Sequence, residues 1–283
     1  MKAQFRLIDD KARAYIRVIG IEKQGIECLK LLDFDRFWGV LPIAVHRAES
    51  IGQAEGDFDQ SVQGREGLDF YVVNLNEPVS RIIPYIKQEE YNNPHRLVIV
   101  IVIESTENEP ENEDVYEQLE WLKKHVDKMI CISSSTFAKM SAQNVEPAQI
   151  KGLVNSSVAK IIHDMLSLMH VYKGNGNLNL DSEVIEFVKN DSKEFHVGIG
   201  YGNGSRWIQE AAEAAMALPL AVRSLGSAKR ILVNISASEE IRPEEIEQII
   251  DEIVKRNGPE HHIYYKQTQV PSIDANRVTI YWA

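Results

Sequence analysis

The sequence predicts an α/β protein in which a parallel-sheet domain leads through one long helix into a smaller α+β domain. Short apolar segments alternate with segments of helical periodicity in the first half of the 283-residue chain, as in a parallel sheet with crossover helices. One long amphipathic stretch follows at 148–172, and helices and strands come in mixed order after it. We therefore expect a first domain at 1–147, a central helix with its connecting loop at 148–175, and a second domain at 176–283.

The first half contains five predicted strands. Its longest aliphatic run, LVIVIVI at 97–103, is too short to span a bilayer and suits a strand buried on both faces. The segment VYEQLEWLKKHV has helical periodicity and lies between the fourth and fifth strands. The predicted strands are 14–21, 42–48, 68–75, 96–105 and 128–133.

The second half begins with the central helix, which ends at KGNGN because Gly and Asn favour turn conformations. Its apolar positions at helical spacing are Ile150, Leu153, Val154, Val158, Ile161, Ile162, Met165, Leu168 and Met169. A last helix opens at Pro243 and ends at Asn257-Gly258. The other predicted helices are DSEVIEFVKND and SRWIQEAAEAAMAL, and the strands are FHVGIGY, RILVNIS, HIYYKQTQV and RVTIYWA. This order predicts a small mixed sheet with helices on one face.

Composition excludes several classes of function. A formal net charge of −11 argues against a nucleic-acid groove and against docking on anionic lipid, so we expect neither partner. The two cysteines, Cys28 and Cys131, fall on an apolar helix face and inside a strand, which indicates core thiols. No Cys/His spacing is typical of a metal site, and no apolar leader segment opens the chain. We expect a cytoplasmic protein.

A resemblance to a known family is carried by GYGNGSRWIQEAAEAAMALPL, AKRILVNIS and RVTIYWA in the second half. These segments resemble the C-terminal domain of FtsZ, the bacterial tubulin-like cell-division protein. The segments LKKHVDKMICIS, NLNLD, RVIGIEKQGIECL and PIAVHRA extend the resemblance over nearly the whole chain. It implies a Rossmann-like, GTPase-type N-terminal domain with a phosphate loop, a long central helix, and polymers in which two subunits share one GTP.

The glycine-rich stretch GIGYGNG at 198–204 runs into a predicted helix, an arrangement that can bind phosphate. The resemblance places this stretch in the C-terminal domain, away from the nucleotide. We therefore expect a turn between a strand and a helix.

The phosphate loop implied by the resemblance keeps only Gly20 and Gly25 of its glycines. Glu22 puts a negative charge where phosphate would lie, and LNEPVSRI stands where the family has GGGTGTG after the third strand. The acidic segment EPENED would repel a triphosphate. In the central helix, Ser157 and Leu153 stand at the guanine-reading and base-stacking positions. The resemblance thus predicts a site that no longer binds or hydrolyses GTP.

The catalytic loop implied by the resemblance is better preserved. Asn179 and Asp181 match its polar residue and first carboxylate, and Glu183 stands one residue closer than its second carboxylate. Capping of the following helix explains the same acids without catalysis. In the family this loop completes the site of the next subunit.

The resulting hypothesis is an FtsZ-like protein without enzyme activity or cofactor. It would contact an FtsZ-like subunit or itself and modulate polymers in cell division or the cytoskeleton. The chain ends directly after RVTIYWA, so the resemblance predicts no direct membrane anchor.

Two alternatives remain open. In the first, the chain still binds GTP or GDP with Mg²⁺ and self-assembles. In the second, RVIGIEKQGIECL is the dinucleotide-binding turn of a Rossmann-like enzyme, although it departs from G-x-G-x-x-G after the first glycine.

Overall fold

The structure is a computed structural model with helices and strands in both halves of the chain. It describes residues 15–37, 39–46, 67–75, 82–84, 86–87, 96–104, 113–140, 145–169, 182–189, 192–217, 225, 228–258, 262–269 and 276–283.

The first half forms a five-stranded parallel sheet. The strands are β1 (Tyr15–Ile21), β2 (Val40–Val45), β3 (Gly67–Asn74), β4 (Arg96–Glu104) and β5 (Lys128–Ser133), in the order β2-β1-β3-β4-β5. The helices are α1 (Glu22–Leu29), α2 (Glu113–His125) and α3 (Ser134–Met140). The five strand predictions are confirmed, with ends that shift by at most three residues.

The central helix, α4 (Pro147–Leu168), follows this sheet. Pro147 occupies its first turn, where a missing N–H costs nothing, and the Glu146 N–H donates to Gln149 Oε1 at 3.2 Å. Its apolar stripe is buried as predicted, except at Leu153, which is 48% exposed. Leu153 lies just outside the inward stripe, so apolar character alone placed it on the wrong face.

The C-terminal part contains α5 (Ser182–Val188), α6 (Trp207–Ala217), α7 (Pro243–Asn257), β6 (Glu194–Gly202), β7 (Arg230–Ala237), β8 (His262–Gln269) and β9 (Asn276–Trp282). Strand β9 runs antiparallel to β6 and β7, and β8 runs parallel to β7. Strand β6 also pairs with β5 through Ile130 and Phe195, so one nine-stranded sheet has the order β2-β1-β3-β4-β5-β6-β9-β7-β8. Helix α7 ends at Gly258, whose φ is 84°, as predicted.

Helices cover both faces of the C-terminal sheet, so the prediction of helices on one face is wrong. On one face, Ile231 and Val233 of β7 pack in a cluster with residues of α6 and α7. On the other, Leu232 of β7 packs in the cluster that contains the central helix and α5. Strand β7 is buried on both faces, and a strand of that kind needs cover on each side.

The parallel sheet is also covered on both faces. The cluster that contains the central helix buries Ile16, Val18 and Phe70 on one face, while α2 contributes Leu122 to the cluster on the other. No helix among the described residues is long and apolar enough to cross a membrane.

Candidate functional site

The strand order predicts a ligand position at the carboxyl ends of β1 and β3. The chain leaves β1 for β2 on one side, whereas β3 lies on the other side of β1. Ligands of open α/β sheets bind at such a reversal of strand order. Helix α1 begins here directly after Ile21, so its unpaired N–H groups lie at the same edge. This is the region that the resemblance assigns to phosphate.

The two glycines that we assigned to a phosphate loop have a packing role. A Cβ at Gly25 would lie 2.5 Å from the Val72 carbonyl oxygen, and a Cβ at Gly20 would lie 2.5 Å from the carbonyl oxygen of Gly25. Helix α1 therefore packs on β1 and β3 through bare backbone. This contact accounts for Gly20 and Gly25 without a bound anion.

Glu22, the first residue of α1, adopts a left-handed conformation with a φ of 54°. It is the one described non-glycine residue with a positive φ, and such a backbone costs a non-glycine residue about 1–2 kcal/mol. The resemblance has glycine at this position. Glutamate thus adopts a backbone conformation here that glycine adopts without strain.

A buried amide network joins α1, β3 and the central helix beside this turn. Gln24 donates from Nε2 to Asn155 Oδ1 at 3.0 Å and accepts at Oε1 from Asn74 Nδ2. Gln24 and Asn155 are only 7% and 6% exposed. Asn155 Nδ2 in turn donates to Glu27 Oε2 at 3.3 Å. The side-chain amides of Gln24 and Asn155 thus both have protein partners, and their hydrogen bonds join α1, β3 and the central helix.

The network ends in an ion pair between Lys151 Nζ and Glu27 Oε2 at 2.9 Å. The hydrogen bond from Lys151 holds the pKa of Glu27 below its usual value, and the Lys151 charge and the Asn155 bond add to this against the effect of burial. Glu27 is therefore ionised at neutral pH. Its charge is balanced by that of Lys151 in the ion pair.

The sequence did not predict a role for Asn155. In the central helix, the resemblance pointed to Ser157 and Leu153 instead. Ser157 is half-buried, and Leu153 is exposed. The available signal was a polar residue between Val154 and Val158 on the inward stripe of an apolar helix, which needs a buried partner.

The residues assigned to the catalytic loop lie only partly within the structure. Asn179 and Asp181 lie outside the described residues. Glu183 is exposed in the first turn of α5, a helix that leads within a few residues to the amino end of β6. Glu183 thus lies on the helix that precedes β6 in the chain, whereas Gly20 and Gly25 lie on β1 and α1.

The segments that replace the other family motifs also lie largely outside the described residues. After β3, only Leu75 and Ile82 of LNEPVSRI are described, and of EPENED only Glu113 and Asp114, which begin α2. Among the described residues, no group of three His, Cys, Asp or Glu side chains is placed to hold a metal ion.

The glycines at 198–204 differ from the expected turn, since Gly198, Gly200 and Gly202 all lie within β6. A Cβ at Gly200 would lie 1.8 Å from the Ala211 carbonyl oxygen, and those at Gly198 and Gly202 would lie 1.9 Å from carbonyl oxygens of Ala215 and Trp207. Helix α6 thus packs its backbone directly on β6. Only Gly204, whose φ is 71°, belongs to the turn.

Comparisons with known proteins agree with this architecture. Residues 194–280 match the model of the FtsZ family, C-terminal domain. The mitochondrial division protein fszB of Dictyostelium discoideum is 26% identical over 151 residues, which are 53% of this chain and 40% of that protein. Cell division protein FtsZ 1 of Thermococcus kodakarensis is 27% identical over 147 residues, 52% of this chain and 38% of the relative. The matched segment thus spans about two fifths of these relatives.

Solved structures extend the likeness to nearly the whole chain. An empty FtsZ dimer of M. jannaschii superposes with a TM-score of 0.77 at 15% identity, covering 95% of this chain and 88% of the other. GDP-bound, monomeric CetZ1 from Haloferax volcanii gives a TM-score of 0.71 at 13% identity, covering 95% and 93%.

Proposed function

Since this chain is an FtsZ/tubulin-like protein, we propose that it has lost GTP binding and hydrolysis and modulates polymers of a competent FtsZ-like subunit. The observation that carries the proposal is the hydrogen-bonded network of Asn74, Gln24 and Asn155 at the carboxyl ends of β1 and β3. If a nucleotide bound at this position, we expect that it would break these bonds. Each buried amide left without a partner costs about 1–3 kcal/mol.

A carboxylate at the start of α1 supports the same proposal. Glu22 is the first residue of a helix whose N-terminus would otherwise attract phosphate. A negative charge there weakens the attraction that the backbone N–H groups offer an anion.

The loss of nucleotide binding is tested by titrating GTP and GDP into the purified chain with Mg²⁺ in a calorimeter. Absorbance at 260 nm is checked first for carried-over nucleotide, and a competent FtsZ serves as the positive control. We expect neither carry-over nor binding heat. Tight, Mg²⁺-dependent binding would refute the loss of the site and favour a divergent GTP-binding subunit.

The modulating role is tested by cosedimentation with a competent FtsZ, with and without GTP. We expect the chain to pellet only when FtsZ polymers form. The variant Asp181→Ala should weaken this pelleting, because Asp181 belongs to the loop that the resemblance directs at the next subunit. Asp251→Ala, an exposed acid on α7, is the matched control and should pellet like the unmodified chain. Equal pelleting with and without polymer would refute the role.

Self-association is the second candidate, since the M. jannaschii neighbour was solved as an empty dimer. Sedimentation velocity at several concentrations of the chain alone separates the two. A concentration-dependent dimer would favour self-association, and a monomer at all concentrations would favour a separate FtsZ-like partner.

A further inference from the structure

We infer that two polar networks, one on each half of the central helix, lock this helix to both parts of the protein without a bound ligand. The first joins it to α1 and β3, and the second, which is buried, joins it to the C-terminal sheet. These networks fix the position of the central helix whichever partner binds, so they go beyond the proposed function.

The first lock is the amide network on the N-terminal half of the helix. Lys151 and Asn155 lie one turn apart and bond to α1, through Glu27 and Gln24. Asn74 extends the network from Gln24 to the end of β3. The central helix is thereby tied to helix α1 and, through Gln24 and Asn74, to strand β3.

The second lock is centred on Asp164, which is fully buried in the C-terminal half of the helix. Its carboxylate accepts from Arg277 Nε at 3.2 Å, from the Arg277 Nη2 group, and from Thr279 Oγ1, both residues of β9. Ser236 Oγ of β7 lies 3.5 Å from Asp164 Oδ1. One carboxylate thus contacts two adjacent strands of the C-terminal sheet.

Further buried bonds carry this lock across the sheet to its edge. Asn234 Nδ2 donates to Ser236 Oγ at 3.2 Å, and Thr268 Oγ1 of β8 donates to Asn234 Oδ1 at 2.9 Å. The side chains of Asn234, Ser236 and Thr268 are at most 6% exposed. The helix is therefore linked to three of the four C-terminal strands through polar groups.

Because Asp164 is buried, the second lock depends on the position of the central helix relative to the strands. Burial alone would raise the pKa of Asp164, but the charge of Arg277 and hydrogen bonds from His163, Arg277 and Thr279 hold it below the usual value. The carboxylate is thus ionised inside the protein. A shift of the helix would separate the two buried charges, and an uncompensated buried charge is strongly destabilising.

The spacing of the locks fixes the direction of the helix as well as its position. Asn155 and Asp164 are nine residues apart, which is about 14 Å along a helix. Apolar contacts are non-directional and tolerate small shifts, whereas each amide or carboxylate here has defined partners. A helix held at two such points neither slides nor tilts unless one network opens.

Hydrogen exchange of the full chain tests the inference, read separately for peptides covering 147–156 and 160–168. Asn155→Leu weakens the first lock by removing the bonds of Asn155 to Gln24 and Glu27, and Asp164→Asn weakens the second. Ser156→Ala is a control on the half-buried side of the same helix. We expect exchange at least 10-fold faster at the altered half, less than 2-fold change at the other half, and no change in the control.

Other outcomes overturn the inference. It fails if neither substitution speeds exchange, or if each speeds both halves equally. If Asp164→Asn does not fold, Thr279→Val removes one donor to the same carboxylate and must show the same local pattern. Adding GTP and Mg²⁺ to the unmodified chain separates this result from the proposed function. Extra protection of 147–156 would refute the loss of nucleotide binding and leave the two locks unaffected.

Discussion

Replacement of Gly200 by alanine tests most directly whether the glycine stripe of β6 exists for packing. The added Cβ would lie 1.8 Å from the Ala211 carbonyl oxygen and 2.6 Å from the Ala215 nitrogen. Both contacts are to the backbone of α6, so no side-chain rotation relieves them. Overpacking of a core costs about 1–3 kcal/mol, and because the whole helix must move we expect about 3 kcal/mol for Gly200→Ala.

Gly152→Ala is the matched control. Gly152 lies exposed on the central helix, and a Cβ there meets nothing within 4 Å. The same change should therefore stabilise the protein by about 0.5–1 kcal/mol, through helix propensity. Both free energies of unfolding are measured by urea denaturation followed by tryptophan fluorescence. If the free energy of unfolding of the Gly200→Ala variant differs by less than about 0.5 kcal/mol from that of the unmodified chain, close packing does not explain the glycines of β6.

Three further predictions concern buried charges and thiols. Asp69 is fully buried between Arg17 and Arg96, so Asp69→Asn should cost about 3–5 kcal/mol in urea denaturation. The control is Asp33→Asn in an exposed ion pair, which should cost under about 1 kcal/mol, and equal losses would contradict this reasoning. Burial alone would raise the pKa of Asp69, but Arg17 and Arg96 hold it below its usual value. The stability that this carboxylate contributes is therefore complete above its unfolded pKa of about 3.9, and it is lost as the pH falls through the lower folded pKa. An acid titration followed by circular dichroism measures this loss. A loss of structure already between pH 5 and 7 would contradict the reasoning. Burial raises the pKa of Cys28 and Cys131 to about 12, so both thiols should resist Ellman's reagent at pH 8 until urea unfolds the chain, and fast labelling of the folded protein would refute this.

Most of the fold was predictable because its signals are local. The aliphatic run at 97–103 lies in β4, which is buried over almost its whole length. Helix α7 begins at Pro243 and ends before Gly258, because of the conformational preferences of these two residues. The candidate site was less predictable. The sequence contained Gln24 and Asn155, but they are 131 positions apart, and nothing local indicates that their side chains meet.

The sequence by itself determined the order of strands and helices, because apolar periodicity and turn residues act over a few neighbouring positions. Its resemblance to FtsZ was carried by particular segments, above all in the second half. Only the tertiary structure shows which backbone contacts the glycines make and which side chains meet at the carboxyl ends of β1 and β3. Gly200 is identifiable as a packing contact only when Ala211 lies against it, and Glu22 as a strained turn only when β1 meets α1. Such features depend on backbone approach and on partners brought together by folding, and no local pattern encodes them.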